Sequence, residues 1–397
     1  MSSITSASDD RQIAVHASDR TTAPEAPAPV KRPRLYVLDG LRLIAALGVV
    51  MWHWVGVERF PAVWHGKPSE LMPTAHLVGA YSWTGVELFF LISGFVICMS
   101  CWGRSVGDFV TSRVVRLFPA YWVCVLATAA CLLVVPTIWG DNTHRPTLSR
   151  ILTNLSMVNM PLGVDNLDPV YWTLWAELRF YLLFGIMVAI GLTYRRVLAF
   201  CGIWGVFALL AAQVNIPLLT AIVQPVYAWY FIAGIAIFLM YRFGANLLLW
   251  GIVGFCWLMA QDSLRGVVGG YEYGAEHRLS WSLTLACTTI AFAVVIAAAL
   301  GVFDRIQWKW LTVAGALTYP VYLLHQEIGW QLITRIRPHL DPYPTLAVVT
   351  AVMLFAAYLV HRLVERPLAP LMKRKMDASF AQVRADEAPG GARRRKG

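Results

Sequence analysis

Apolar stretches of about 20 residues recur along almost the whole chain and are separated by shorter polar connections. A helix of that length crosses the hydrocarbon core of a bilayer, and in lipid only internally paired backbones such as helices are stable. The pattern predicts an all-α polytopic membrane protein, with about ten transmembrane helices around a central polar cavity. The predicted spans are residues 35–57, 77–101, 114–136, 170–191, 197–213, 219–241, 246–260, 281–302, 310–329 and 345–363.

Polar segments flank this apolar region and divide the chain into three parts. Residues 1–34 are rich in Ser, Thr, Ala and Pro and lack the apolar core of a signal peptide, so we expect a disordered cytoplasmic segment. Residues 35–370 are the predicted membrane domain. Residues 371–397 are polar and basic, and we expect a disordered cytoplasmic tail near anionic lipid.

Composition and charge agree with a membrane protein. Hydrophobic residues make up 58% of the chain and charged residues only 14%, whereas soluble domains have about 25% charged residues. The net charge of +10 is better explained by membrane topology than by nucleic-acid binding, because basic flanks stay cytoplasmic. Basic residues favour both termini inside, but the short loops alone are balanced, so this orientation depends on the flanks.

The positions of the cysteines suggest packing inside the membrane domain, and those of the tryptophans suggest anchoring at the membrane interface. All seven cysteines lie within or beside apolar stretches, without the spacing of a disulfide framework or metal site, so no metal site is predicted. Many tryptophans, including Trp52, Trp54, Trp310 and Trp330, lie near the ends of predicted spans. Such positions are typical of anchors at the membrane interface.

Arg42 and His53 lie inside the first predicted span and are costly residues in a bilayer. Eleven positions separate them, which is close to three helical turns, so they share one face about 16 Å apart in depth. A neutral imidazole at His53 could take a proton from an alcohol. Asp39 is three residues before Arg42, and the two can pair at the cytoplasmic end of the helix. A snorkelling Arg42 and a hydrogen-bonded His53 would be the structural alternative.

Further polar residues occur in later spans. Arg113 and Arg116 are three residues apart, a spacing that suits phosphate binding and equally a positive-inside anchor. Glu177 needs a partner within the membrane, either His53 or a structural Arg. His325 lies one turn from Tyr322 and could be either a cavity residue or a structural hydrogen-bonding group. Small residues at Ser93 and Gly94 favour close helix packing, and Glu87 on the same helix could pair with an Arg.

Six segments, in order along the chain, together resemble the acyltransferase-3 family of membrane acyltransferases. The segments are LDGLR with Arg42-x10-His53, GVELFFLISGF, SRVVRLFPAYW, WTLWAELRFY, LTYPVYLLH and VERP. The resemblance covers about residues 36–370. The chain departs from the family pattern at Arg179, where an apolar residue is common, and at Glu87, where Asp is common.

The resemblance implies an enzyme that transfers acyl groups other than amino-acyl groups, commonly acetyl, from acyl-CoA to sugar hydroxyls. Acyl-CoA would be a co-substrate, with no bound cofactor and a carbohydrate or glycosylated acceptor. His53 is then the expected catalytic base and Glu177 a second catalytic residue. Asp39, Arg42 and His325, together with the Arg113/Arg116 pair, would contribute to donor or substrate binding.

The resemblance also leaves alternatives. The expected location is the bacterial plasma (inner) membrane, with membrane lipids as neighbours and no nucleic acid. The acceptor could instead be a macrolide or another secondary metabolite. Composition alone also fits a transporter or flippase, although no two related halves occur in the sequence. The oligomeric state is left open.

Overall fold

Helices form the regular structure of residues 35–135, 145–214 and 216–387, which are the residues described in the computed structural model. Within these ranges no strand occurs. The α-helices are α1 Tyr36–Met51, α2 Pro68–Leu71, α3 Pro73–Gly79, α4 Gly85–Cys101, α5 Val106–Val134, α6 Leu148–Leu155, α7 Trp172–Ala189, α8 Tyr194–Gln213, α9 Pro217–Val223, α10 Ala228–Phe243, α11 Leu247–Ala275, α12 Trp281–Ala299, α13 Trp310–Leu324, α14 Glu327–Ile336, α15 Pro342–Val360 and α16 Arg366–Glu387. Two π-helical turns, Trp52–Gly56 and His361–Glu365, continue α1 and α15.

The all-α polytopic class is confirmed. In the described ranges, nine helical segments are long and apolar enough to cross a membrane. The tenth predicted span, residues 310–329, corresponds to the shorter apolar helix α13 and the start of α14. The predicted span at 246–260 was too short, because α11 continues past its apolar half to Ala275.

The close approach of α4 and α10 forms the centre of the bundle. Residues 228–240 of α10 are buried throughout, and Gly94 of α4 lies directly on the backbone of Phe231. Gly234 of α10 in turn lies against the carbonyl of Leu91. A side chain at either glycine would collide with backbone, so the predicted packing role of Gly94 is confirmed.

Helix α1 packs on α13, so His53 after the end of α1 comes next to His325 after the end of α13. A Cβ added at Gly315 would lie 2.8 Å from the side chain of Asp39. The absence of a side chain at Gly315 therefore allows the close contact between the two helices.

The C-terminal region is a helix over most of its predicted disordered length. Helix α16 extends to Glu387, and Phe380 packs on the start of α5, where a Cβ at Gly107 would lie 3.1 Å from the Phe380 ring. The polar composition suggested disorder, but an apolar residue such as Phe380 gives the helix a surface to bury. The predicted disordered segments 1–34 and 388–397 lie outside the described residues.

Candidate active site

A cavity of about 280 Å³ opens between α1, α4, α5, α7 and α13 and contains three arginines. Arg42 comes from α1, whereas Arg113 and Arg116 come from adjacent turns of α5. Arg42 and Arg113 are half-buried, and Arg116 is exposed. The remaining lining residues are Val86, Phe89, Phe90, Ser93, Val96, Leu117, Thr173, Leu174, Glu177, Tyr181, Thr318, Tyr319 and Tyr322.

The Arg113 side chain is held in place by contacts from two directions. Its Nη2 donates to the Ser100 hydroxyl at 3.3 Å, and its Nε donates to the Ser112 hydroxyl at 3.1 Å. Its guanidinium also lies 5.7 Å from the centre of the Tyr181 ring. These weak contacts leave the group available to an anion, since no carboxylate is among these partners.

Glu177 faces this cavity. The Ser93 hydroxyl donates to the Glu177 carboxylate at 2.8 Å, so Ser93 is a hydrogen-bonding residue in addition to being small. Glu177 lines the same cavity as the three arginines, whereas His53 bonds to the Val49 carbonyl and to His325. The catalytic role of Glu177 stays a prediction.

His53 and His325 form a hydrogen-bonded imidazole pair. Nδ1 of His53 lies 3.1 Å from Nε2 of His325, and the ring centres are 5.0 Å apart. His325 is completely buried, and His53 is half-buried. Both residues are predicted site residues, but their contact could not be predicted because 272 positions separate them in the sequence.

Backbone contacts of the two rings determine which nitrogen carries each proton. Nδ1 of His325 lies 2.7 Å from the Tyr322 carbonyl and must donate to it, which leaves Nε2 as an acceptor. Nδ1 of His53 then donates toward this Nε2 and toward the Val49 carbonyl, 2.9 Å away. Nε2 of His53 keeps its lone pair, as a general base requires.

Buried indoles hold the backbone around the imidazole pair. Trp330 donates to the carbonyl of His53 and Trp54 to the carbonyl of His325, both at 2.8 Å. Trp54 and Trp330 are 1% and 3% exposed, so these two predicted interfacial anchors are core residues instead. His53 also lies in the π-helical turn Trp52–Gly56, a type of irregularity common at functional sites.

Tyr322 connects the cationic cavity to the imidazole pair. Its side chain lines the cavity, and its ring centre lies 5.5 Å from that of His325. The hydroxyl group donates to the Val170 carbonyl at 3.0 Å and lies 2.8 Å from the Thr173 hydroxyl. His53 and His325 do not line this cavity, so Tyr322 is the residue that borders both the cavity and the imidazole pair.

Asp168 and Glu327 form a second buried polar pair, which the sequence did not predict. The Asp168 carboxylate accepts hydrogen bonds from the backbone N–H groups of Glu327 and Val170, both at 3.2 Å. Burial raises the pKa of Asp168, and burial together with the nearby Asp168 charge raises the pKa of Glu327. Both residues adjoin apolar stretches, but their proximity could not be read from spacing.

The remaining predicted residues occupy separate places. Asp39 lies against Gly315, outside the set of residues that line the cavity. Glu87 is buried in α4 and is 2% exposed. Arg179 donates to the Ala221 carbonyl at 2.7 Å and lies 5.4 Å from the Trp175 ring centre. The donor-binding role of Asp39 and the pairing of Glu87 with an Arg stay predictions.

Together, the fold and this site define a polytopic helical membrane protein with a cationic cavity beside a histidine pair. The family model described as an acyltransferase domain matches residues 35–362, so the chain belongs to the acyltransferase-3 family. It is therefore a membrane acyltransferase. Comparison with curated proteins and with solved structures gives no match.

Proposed function

We propose that the protein transfers an acetyl group from acetyl-CoA to a hydroxyl of a sugar in a surface or exported glycan. The hydrogen bond between His53 and His325 carries this proposal, because it leaves Nε2 of His53 free to accept a proton. The acyltransferase family supports the reaction class. The acetyl donor and the sugar acceptor follow from what the family resemblance implies, and the base is inferred from the hydrogen bonds of His53.

The arginine cavity is the proposed binding place for the donor. Coenzyme A carries several phosphate charges, and guanidinium groups bind phosphate oxygens through paired donors. Exposed Arg116 would meet the phosphates first, and half-buried Arg113 and Arg42 would hold the more deeply placed part. Acyl-CoA is a cytoplasmic metabolite, so this assignment places the cavity mouth at the cytoplasmic side.

The proposed reaction uses His53 as general base. Nε2 of His53 removes the proton of the acceptor hydroxyl while the oxygen attacks the carbonyl carbon of the thioester. The carbon–sulfur bond then breaks, and the thiolate of coenzyme A leaves and takes a proton from the imidazolium. The products are the acylated sugar and free coenzyme A. His325 orients His53, because Nε2 of His325 accepts a hydrogen bond from Nδ1 of His53.

The thioester is proposed to approach His53 from the side of Tyr322, which both sites share. The distance between Arg42 and His53 along α1, about 16 Å, suits the extended pantetheine arm of coenzyme A. The acceptor would arrive from the opposite side of the membrane. We place the protein in the bacterial inner membrane with both termini in the cytoplasm.

The direct test is product analysis with the purified protein in vesicles. Isotope-labelled acetyl-CoA is supplied on the side of the membrane to which the arginine cavity opens. Candidate glycans or macrolides are supplied on either side of the membrane. Label in a sugar ester supports the glycan proposal, whereas label in a macrolide replaces it with the secondary-metabolite alternative. Transport of unmodified acceptor with no acyl transfer would favour the transporter alternative.

A further inference from the structure

Glu58, His76 and His277 form a cluster of possible metal ligands away from the cationic cavity. One possible ligand atom from each residue lies within 4.8 Å of the other two. Glu58 and His76 are 5% and 7% exposed, and His277 is half-buried. We propose that these three side chains bind Zn²⁺ and that the ion holds together the chain segments that follow α1 and α11 and helix α3.

The hydrogen bonds of the two histidines prepare them for a metal. Nδ1 of His76 donates to the Val55 carbonyl at 2.7 Å, and Nδ1 of His277 donates to the Ala275 carbonyl at 2.9 Å. Each ring therefore has its lone pair on Nε2 and its orientation fixed by a backbone acceptor. Metal-binding histidines are held by the same second contact. The two ring centres are 5.0 Å apart.

Glu58 supplies the negative charge of the cluster. Its Oε1 accepts the Ser69 N–H at 2.8 Å and lies 4.0 Å from Nδ1 of His76. The ammonium of Lys67 pairs with Glu276 at 3.1 Å. A buried carboxylate beside two imidazoles is stabilised by a cation, because burial of an unpaired charge is costly.

The ligand types select the metal. Imidazole nitrogens favour transition metals, whereas Mg²⁺ and Ca²⁺ prefer sites built from oxygen. Two histidines and a glutamate provide three ligands for tetrahedral Zn²⁺, with water in the fourth position. Ligand atoms about 2 Å from Zn²⁺ lie less than 4.8 Å apart, so binding draws the three side chains together.

The ion would connect parts of the chain that are distant in sequence. Glu58 follows the π-helical turn that contains His53, whereas His76 belongs to α3 and His277 follows α11. Backbone contacts already join two of these parts, since the Glu58 N–H donates to the Gly274 carbonyl at 2.9 Å. Glu276, with φ of 55°, reverses the chain at the end of α11 and places His277 beside His76.

Metal content of the full-length protein tests this proposal without reference to acyl transfer. The protein is purified with a tag that lacks histidine, dialysed against Zn²⁺ or Mg²⁺ and analysed by mass spectrometry for bound metal. We expect one Zn²⁺ per chain, no retained Mg²⁺ and a higher thermal midpoint with Zn²⁺. His277→Asn should reduce bound Zn²⁺ to background, and Glu58→Gln should raise the dissociation constant at least about tenfold.

His65→Asn is the matched control, because His65 is exposed, bonds to the Thr334 carbonyl and is not one of the three proposed ligands. It should bind Zn²⁺ like the unchanged protein. Glu58→Gln retains an acceptor for Ser69, so it reports on the metal even if His277→Asn does not insert. Equal Zn²⁺ binding by the unchanged protein and Glu58→Gln, or loss of Zn²⁺ in His65→Asn, would overturn the proposal.

Discussion

The imidazole of His53 shows how neighbouring residues can set the protonation of one side chain. The carbonyl of Tyr322 orients His325, and His325 in turn orients His53. The indole of Trp330 holds the backbone of His53 at the same place. These contacts account for a proton on Nδ1 and a free Nε2 without requiring a charged group next to the ring.

Arg113 offers the clearest test of donor binding at the residue scale. Arg113→Ala removes forked donors from the cavity, so the KM for acyl-CoA should rise about tenfold to a hundredfold, with a smaller effect on kcat. Steady-state kinetics with varied acyl-CoA measures this. Arg104→Ala is the control. Arg104 is an exposed arginine in the connection between α4 and α5, and it does not line the cavity. A rise in KM only for the control would contradict the assignment.

Single residues of the site could be identified from sequence, but their partners could not. Arg42 and His53 were recognisable because charge inside an apolar stretch is costly. The contacts of His53 with His325 and of Ser93 with Glu177 join different helices. Helical spacing tells which residues share a face of one helix, but not which helix lies opposite that face.

At the scale of elements, the crossing of α4 and α10 depends on two glycines. Gly234→Ala would press a methyl group onto the Leu91 carbonyl, so we expect a lower thermal midpoint in detergent. Gly251→Ala is the matched control, since a Cβ at Gly251 meets nothing within 4 Å. Alanine also forms helices better than glycine, so the control should keep or raise the midpoint. Equal midpoints for the two variants would contradict the packing role.

The Asp168–Glu327 pair predicts pH-dependent stability at the junction of α7 and α14. Burial in the folded protein raises the pKa of both carboxyls above the value of about 4 that they have in an unfolded chain. The folded state therefore binds more protons above about pH 4, and its stability should fall as the pH rises from about 5 to 8. Thermal midpoints between about pH 5 and 8 should show the fall, and Glu327→Gln should make it smaller, because only Asp168 then contributes. An unchanged slope in Glu327→Gln would exclude this source.

The sequence predicted that each apolar stretch forms a helix better than it predicted where that helix begins and ends. The apolar stretch of α5 suggested a start at residue 114, but the Ser105–Asp108 capping box starts the helix at Val106. Helix α13 stops at Leu324 and α14 begins at Glu327, which divides the predicted span 310–329. Hydropathy detects the lipid-crossing part of a helix, whereas caps and tertiary contacts determine where it ends.

At the scale of the whole molecule, the proposed orientation places α16 in the cytoplasm and the loop of α2 outside. Cysteines introduced as Ser379→Cys and Glu70→Cys occupy exposed positions in these two regions. In intact cells, a membrane-impermeant maleimide should label Glu70→Cys and should label Ser379→Cys only after permeabilisation. The unchanged protein controls for its native cysteines, all of which are free. The reverse pattern would place both termini outside.

The central claim is that His53 is the base of an acyl transfer, and turnover of labelled acetyl-CoA by the purified protein in vesicles tests it most directly. His53→Ala should lower the rate by about 10² to 10⁴, because general-base catalysis contributes that much. His325→Asn should lower it less, and His65→Asn should leave it unchanged. Near-unchanged turnover by correctly inserted His53→Ala protein would contradict the claim.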